Sequence, residues 1–193
     1  SGIEINDISY GEAIDSYELK HPHYYLSTTK GLYLFNADSK KIKLVRKTQN
    51  GPFHFISGEK NIYGLKILYL HDRKDLIEFE VEKNLFNTIT NRNEIIDVFS
   101  NEQFKYYILT ENRLEYFDRN TYGNNIILEN LSNVNNVSML KNFIILTSDQ
   151  GLDLYDLNTK KLSKNILKDE LNYNAILSED NSIKLGGVNG MYE

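Results

Sequence analysis

The sequence predicts an all-β fold, a β-propeller of four-stranded antiparallel blades, from three observations. Aromatic residues make up 12% of the chain and there are only two prolines, a composition that favours strands over flexible linkers. Short apolar runs bounded by Asn, Asp, Gly and Ser recur along the chain, which is the pattern of strands and turns. These runs repeat at intervals close to 38 residues, and four-stranded units of about that length are typical of propeller blades.

Five segments share one plan, in which an apolar strand is followed by a polar turn and a second strand. The turns contain the Asn, Asp, Lys and Thr residues that favour tight hairpin connections. A glycine follows the turn at positions 31, 151 and 190, where we expect it to adopt a positive φ. The segments are YYLSTTKGLYLFN at 24–36, LYLHDRKDLIEFE at 68–80, YYILTENRLEYFD at 106–118, IILTSDQGLDLYD at 144–156 and IKLGGVNGMYE at 183–193.

The first apolar residue after each turn sets the period of the repeat. Successive markers are 44, 38, 38 and 39 residues apart, so the second unit is about six residues longer than the others. We place the additional residues at 57–66, ahead of the second strand of that unit. The markers are Leu32, Leu76, Leu114, Leu152 and Met191.

Each of the first four units has a further apolar run before and after its hairpin, which gives four strands per unit. The fifth unit has a run before its hairpin and none after it. Either residues 3–9 supply the missing outer strand and close a five-bladed ring, or the chain is a fragment of a larger propeller array. We predict one propeller or propeller fragment over 1–193, with about five blades in units at 13–50, 51–92, 93–132, 133–170 and 171–193.

The composition excludes several classes of function. The net charge is −5 and the Lys and Glu residues are scattered, so the chain lacks the basic surface that binds nucleic acid. The absence of cysteine excludes a thiol nucleophile and a disulfide framework. No apolar stretch approaches the roughly 18 residues that span a bilayer, and the N-terminus carries no targeting signal. His21 and His23 have no partner at a zinc-binding spacing, so we expect a surface turn there and neither metal nor cofactor.

The closing segment YNAILSEDNSIKLGGVNGMYE, 173–193, resembles the repeat of the two-component regulator propeller family. Such repeats form the periplasmic sensor region of bacterial hybrid two-component histidine kinases, and the resemblance extends over all five units. Gly186-Gly187 corresponds approximately to the Gly-Thr pair of the family repeat. The family's Trp position is occupied here by Tyr25, Tyr69, Tyr107, Ile144 and Lys184.

This resemblance implies an extracytoplasmic ligand-sensing module located in the periplasm. Members of the family look like dimeric glycan sensors in which two large propellers precede an Ig-like domain, a membrane helix and a cytoplasmic kinase. The chain is then expected to be a slice of a larger array that forms a homodimer and responds to an oligosaccharide. It would contain no enzymatic activity of its own, and it would reach the membrane only through segments outside this sequence.

Candidate ligand-binding residues follow from the way propellers bind ligands, over one end of the channel where loops converge. The turns between second and third strands are expected at the same end as the connections between units. Planar amides and cationic groups there can donate hydrogen bonds to sugar hydroxyls, and an aromatic face can pack on a sugar ring. The candidates are Lys30, Arg73, Arg92, Asn112, Asn135, Gln150, Tyr173 and Asn189.

Two other functions remain open from the sequence. A propeller with a flat face could be a protein-interaction scaffold without a small-molecule ligand. Acidic residues at the strand ends, such as Asp149 and Asp153, could instead form the paired carboxylates of a glycan-active enzyme, although the sequence does not show their separation. Catalytic residues are therefore not assigned.

Overall fold

The structure is a computed structural model that describes residues 10–61, 64–102, 105–148, 151–167, 173–179, 182–187 and 190–192. The described residues form nineteen β-strands, β1 to β19, and no α-helix. The strands make five antiparallel sheets in which each strand is hydrogen-bonded only to strands adjacent in sequence. The chain divides into two compact units, 1–93 and 94–193. The predicted all-β class and the antiparallel meander are therefore confirmed.

The first unit contains two four-stranded sheets, which we call the first and second blades. Each begins with the run predicted as its first strand and ends with an exposed outer strand. The strands of the first blade are β1 Ala13–Lys20, β2 His23–Thr28, β3 Gly31–Asn36 and β4 Lys41–Lys47. Those of the second blade are β5 His54–Asn61, β6 Gly64–His71, β7 Asp75–Glu80 and β8 Leu85–Asn91.

The second unit contains two further four-stranded sheets, the third and fourth blades, and a three-stranded sheet. The strands of the third blade are β9 Ile95–Glu102, β10 Lys105–Thr110, β11 Arg113–Asp118 and β12 Gly123–Glu129. Those of the fourth blade are β13 Val134–Leu140, β14 Phe143–Ser148, β15 Gly151–Asp156 and β16 Lys161–Leu167. The last sheet is β17 Tyr173–Glu179, β18 Ser182–Gly187 and β19 Gly190–Tyr192.

The prediction of about five blades is corrected by this count. Four complete four-stranded blades are present, and the fifth unit contributes three strands in the described residues. The sequence of this unit contains three apolar runs, whereas each of the first four units contains four. Residues 3–9, the candidate closing strand, lie outside the described residues, so closure of a ring stays a prediction.

The longer second repeat has its additional residues in the β5–β6 hairpin. His54 pairs with His71 across 17 residues, whereas the equivalent partners Asp97 and Leu109 of the third blade are 12 residues apart. Five of the extra residues therefore lie inside this hairpin, which confirms their predicted placement around 57–66.

The second strand of each blade is buried on both faces. In β10, with the sequence KYYILT, every residue after Lys105 is buried, whereas most residues of the outer strand β12 are exposed. A strand that is buried on both faces has no polar face to alternate with, so its sequence is almost continuously apolar. The core of the first unit includes Tyr25 and Leu32 from the first blade with Phe53, Leu68, Leu70, Ile77 and Phe79. The core of the second unit includes Tyr107, Leu109 and Leu114 with Val137, Ile144, Leu146 and Tyr155.

An aspartate in the first strand of a blade is hydrogen-bonded to the first strand of the next blade in each unit. Asp15 Oδ2 accepts the N–H of Phe55 at 2.8 Å, and Asp97 Oδ2 accepts the N–H of Val137 at 2.9 Å. The other oxygen of each carboxylate accepts the N–H of the following residue, at 2.7 Å for Asp15 and 2.8 Å for Asp97. We call these two groups the aspartate staples, since each binds two backbone N–H groups of different blades.

The glycines after the β2–β3 and β14–β15 turns serve different purposes. Gly151 has φ of +130°, as predicted. The prediction of a positive φ at Gly31 was wrong, because this residue is absent from the left-handed region. Gly31 is instead required by close packing, since a Cβ there would lie 2.6 Å from the carbonyl oxygen of Arg46 on β4.

The turn between the third and fourth strands places a residue other than glycine in the left-handed region in every complete blade. The φ values are +51° at Lys40, +50° at Asn84, +53° at Tyr122 and +55° at Lys160. Left-handed backbone costs an L-residue with a Cβ roughly 1–2 kcal/mol, and Asn tolerates it better than Lys or Tyr. Three of the four turns therefore hold a residue that the local conformation disfavours.

We expect Lys160→Gly to raise the free energy of unfolding by roughly 0.5–1 kcal/mol, because glycine removes the strain at φ of +55° while its own chain entropy offsets part of the gain. The backbone N–H of residue 160, which donates to Asp156 O at 2.8 Å, is retained. Urea unfolding monitored by circular dichroism measures the change. Lys161→Gly is the matched control, since it places glycine inside β16 and should lower stability. An equal loss for both variants would contradict the assignment.

Candidate functional site

The turns between second and third strands lie beside the connections between blades within each unit, as predicted. In the first unit, Thr48 donates its N–H to Lys30 O at 3.3 Å, and Arg92 donates its N–H to Lys74 O at 2.8 Å. In the second unit, Leu131 donates its N–H to Asn112 O at 2.9 Å. We call this end of the blades the turn end.

A cluster of two carboxylates and two amides fixes the turn end of the second blade. Asn50 Nδ2 lies 3.1 Å from Asp72 Oδ2 and 3.4 Å from Asp75 Oδ2, and it donates to both. Asn91 Nδ2 donates to Asp75 Oδ1 at 2.8 Å. Asp72 Oδ1 accepts the N–H groups of Lys74 at 2.8 Å and Asp75 at 2.7 Å. Asp72 is buried, and the hydrogen bonds to its carboxylate fix the backbone of the β6–β7 turn.

Arg73 projects from this ordered turn. The residue is exposed, and its side chain crosses the backbone of Gly51, where a Cβ would lie 3.2 Å from Arg73 Cγ. Gly51 has φ of +141°, so both its conformation and its neighbour favour glycine. The aliphatic part of the Arg73 side chain therefore packs on Gly51, in the connection that leads into the second blade.

Arg92 and Lys30 lie at the same end of the first unit. Arg92 Nη1 donates to Thr90 Oγ1 at 2.6 Å and to Asn91 O at 2.7 Å, which fixes this half-buried side chain along the end of β8. Lys30 is exposed in the two-residue turn between β2 and β3, where its N–H donates to Thr28 Oγ1 at 3.1 Å. The first unit therefore brings three of the predicted residues, Lys30, Arg73 and Arg92, to the turn end.

The remaining predicted residues belong to the second unit. Asn112 is exposed in the β10–β11 turn. Asn135 is half-buried and is the second residue of β13, so it belongs to a strand and not to the connection in which it was predicted. Tyr173 is the first residue of β17, and its side chain lies outside what the structure describes. Gln150 and Asn189 lie outside the described residues.

A stacked pair of histidines in the second blade escaped the sequence analysis. The rings of His54 and His71 are 5.1 Å apart with an interplanar angle of 18°. His71 is buried, and its Nδ1 lies 3.1 Å from Asp72 O, so the ring donates to this carbonyl. The pKa of His71 is lowered to about 4, mainly by burial and secondly by the nearby His54, while the Asp72 carbonyl and carboxylate act in the opposite direction.

The described residues contain no group of three metal-ligating side chains. His21 Nε2 lies 3.8 Å from Asp38 Oδ1, and His23 Nε2 lies 3.1 Å from Asn36 Nδ2. Each of the two histidines of the His-Pro-His sequence thus has a protein neighbour in the first blade. Among the described residues, no helix is long and apolar enough to cross a membrane.

No family model matches the sequence, and no curated protein matches it either. Solved structures do match the fold. The extracellular domain assigned to the hybrid two-component system BT4673 of Bacteroides thetaiotaomicron is 12% identical, with 98% of this chain and 27% of that chain covered and a TM-score of 0.71. The corresponding domain of BT3049 is 16% identical, with 93% and 26% covered and a TM-score of 0.66.

A third similar structure is an auxiliary nutrient binding protein from the same bacterium. It is 12% identical to this chain, with 80% of this chain and 41% of that chain covered and a TM-score of 0.58. The chain spans about a quarter of the length of the two-component structures that it matches, at 26% and 27%. The blades described above thus have the fold of the extracellular domains of Bacteroides two-component systems, which confirms the sequence resemblance at the level of fold.

Proposed function

We propose that this chain is part of the ligand-sensing region of an extracytoplasmic two-component receptor. The observation that carries the proposal is the match to the BT4673 extracellular domain, which covers 98% of this chain. The described residues consist of blades alone. Such an arrangement is suited to binding a ligand and to transmitting a change in how the blades are arranged. Kinase activity would then lie in other domains of the parent protein, and the chain itself would act in the periplasm.

The proposed ligand is an oligosaccharide bound at the turn end of the blades. Lys30 and Arg73 are exposed cations on ordered turns, and cationic N–H groups donate readily to sugar hydroxyls. The Asp72 carboxylate and Asn50 fix the turn that carries Arg73, which reduces the loss of conformational freedom on binding. Arg92 is proposed as a further contact in the first unit. Within the second unit, the proposed contacts at its own turn end are Asn112, Asn135, Gln150, Tyr173 and Asn189.

The larger architecture belongs to the same proposal. Residues 1–193 would form one part of a longer propeller array, and the boundaries between its repeat units would lie close to residues 50, 92, 132 and 170. The parent receptor would be a homodimer. Two-component receptors of this kind bias a kinase when a ligand favours one arrangement of their sensor domains. The coverage of only about a quarter of the matched structures, 26% and 27%, supports the larger array.

Calorimetric titration with a panel of neutral oligosaccharides tests the ligand. We expect at least one sugar to bind, and Lys30→Ala combined with Arg73→Ala to weaken its affinity about tenfold or more, since two hydrogen-bond donors are lost. Lys83→Ala is the control, because Lys83 lies in the β7–β8 turn at the opposite end of the second blade. Binding that survives the double substitution would remove the turn end from the proposal, and no binding by any sugar would remove the oligosaccharide.

A second candidate function is a nutrient-binding protein without signalling. The match to the auxiliary nutrient binding protein, at a TM-score of 0.58, favours it. The two candidates share the ligand site and differ in what the parent protein contains. The complete gene sequence distinguishes them, because a receptor continues into a membrane-spanning helix of about 20 residues and a kinase domain, and a nutrient-binding protein does not.

A further inference from the structure

Basic residues are concentrated on the outer strand of the first blade. β4, with the sequence KIKLVRK, carries Lys41, Lys43, Arg46 and Lys47 and no acidic residue, although the chain has a net charge of −5. Lys40 immediately precedes it. The equivalent strand of the second blade, LFNTITN, has no charged residue. A local excess of positive charge in an acidic chain marks a surface that attracts anions.

The turn that leads into β4 is ordered by Asn36. Its Oδ1 accepts the N–H of Ser39 at 2.8 Å and the hydroxyl of Ser39 at 2.9 Å. Ala37 donates its N–H to Pro22 O at 2.8 Å, which ties the same turn to the β1–β2 turn. Lys40 and Lys41 therefore follow a backbone that is held at three points.

The Asn36 amide and the His23 ring form a second polar group beside these lysines. Because the N–H of Ser39 must donate, the oxygen of the amide faces Ser39 and its nitrogen faces His23. Asn36 Nδ2 then faces His23 Nε2 at 3.1 Å and donates to it. Asn36 and His23 therefore place polar groups beside the lysines and add no negative charge.

A groove of about 570 Å³, which we call the lysine groove, lies beside β4 and is lined in part by His23, Asn36 and Ser39. Its size lies within the range of small-molecule sites, roughly 300–1,000 Å³. Lys40, Lys41 and Lys43 line it together with Tyr10, whose ring contacts Tyr33 edge-on at a centroid distance of 5.5 Å. Among the described residues, no carboxylate lines the groove and no ion pair joins these three lysines to an acid.

We propose that the lysine groove binds a small ligand that carries several anionic groups. Lys41 and Lys43 are two residues apart on one strand, so their side chains leave the same face about 7 Å apart. A ligand with two sulfate, phosphate or carboxylate groups at that spacing would contact both ammonium groups, which act as point charges and accept any of the three anions. Leu34, which pairs with Lys43 on the neighbouring strand, adds apolar contact beside the charges.

This site is separate from the one in the proposed function. The lysine groove begins at the turn after Asn36, whereas Lys30 lies in the turn before Gly31, at the other end of β3. The inference rests on the groove alone and stands whether or not the turn end binds a sugar. Lysines on an outer strand also prevent edge-to-edge association of sheets, but that purpose needs only charge and no groove.

Three polyanions distinguish the anion chemistries: sucrose octasulfate, inositol hexakisphosphate and butane-tetracarboxylate, with sucrose and inositol as neutral controls. Titration calorimetry at low and moderate salt measures the affinity. We expect the chain to bind at least one polyanion and neither neutral compound, with an affinity that falls as salt screens the charges. Lys41→Gln combined with Lys43→Gln should weaken binding about tenfold or more, since two attractive charges are removed.

Lys161→Gln combined with Lys164→Gln is the matched control, because it removes the same charge from the outer strand β16 of the fourth blade. We expect this pair to change the affinity less than about twofold. Unchanged thermal unfolding of both double variants shows that each folds normally. Equal weakening by the two pairs, or no binding of any polyanion, would overturn the proposal, whereas the relative affinities of the three probes assign the preferred anion.

Discussion

Acidification from pH 7 to pH 4 should lower the free energy of unfolding of the wild-type chain by about 3 kcal/mol more than that of the His71→Leu variant. In the folded chain His71 is buried against His54 and donates to Asp72 O, and its pKa is lowered to about 4. The unfolded chain has an ordinary histidine, with a pKa of about 6.5. Urea unfolding at a series of pH values measures the difference.

The sign follows from which state binds the proton. Between about pH 4 and pH 6.5 the unfolded chain protonates this histidine and the folded chain does not, so stability rises with pH across the window. The contribution is fully present above the unfolded pKa and is lost as the pH falls towards 4. The charged or titratable groups that act on the ring are His54 and the Asp72 carboxylate.

The two chains are compared by the slope of their free energy of unfolding against pH. His71→Leu also removes the hydrogen bond to Asp72 O, which changes the free energy of unfolding at every pH. Leucine is a reasonable replacement, since Leu109 occupies the equivalent buried position in the third blade. His21→Asn is the control, because it removes a histidine from an exposed position. If His71→Leu and the wild type lose stability in parallel, the acid sensitivity has another source.

We expect Asp97→Ala to lower the free energy of unfolding by about 2–3 kcal/mol, because it leaves two buried backbone N–H groups without an acceptor. These groups belong to Val98 and Val137, both of which are buried. Asp15→Ala should cost less, about 1 kcal/mol, since Ser16 is exposed and Phe55 is half-buried, so water can replace part of the lost bonding. Chemical denaturation of the three chains measures both changes.

Asp118→Ala provides the matched control for the aspartate staples. The Asp118 carboxylate also accepts a backbone N–H, from Asn120 at 2.8 Å, but it does so in an exposed turn. Its removal should cost well under about 1 kcal/mol, since solvent satisfies the freed group. A loss for Asp97→Ala no greater than for Asp118→Ala would show that the staple does not hold the third and fourth blades together.

The sequence predicts the strands well because each blade needs apolar residues at fixed spacing. The markers Leu32, Leu76 and Leu114 are fully buried in the third strand of their blades, as the repeat requires. The fifth unit was counted as a blade because it repeats the hairpin of the other units, although its sequence offers three apolar runs and not four. Gly31 was misread because its close neighbour is the carbonyl of Arg46 on another strand.

The candidate site was predictable only in part. Lys30, Arg73 and Arg92 could be placed at the turn end because cationic residues in turns and connections are visible in the sequence. The Asn50, Asp72 and Asp75 network was missed, since each residue separately looks like an ordinary turn former. The stacked histidines required the register of β5 against β6, in which His54 pairs with His71, and no local pattern gives a pairing across 17 residues.

The connection of every strand to its sequence neighbours bears on how the chain is made. In the four complete blades, every strand pairs only with its sequence neighbours, so all the strand-pairing partners become available within one repeat and each loop that must close is short. At a synthesis rate of roughly 5–20 residues per second, one repeat leaves the ribosome every few seconds, far longer than a hairpin needs to form. The blades can therefore fold one after another during translation, and within each unit the earlier blade provides an apolar face on which the later blade packs.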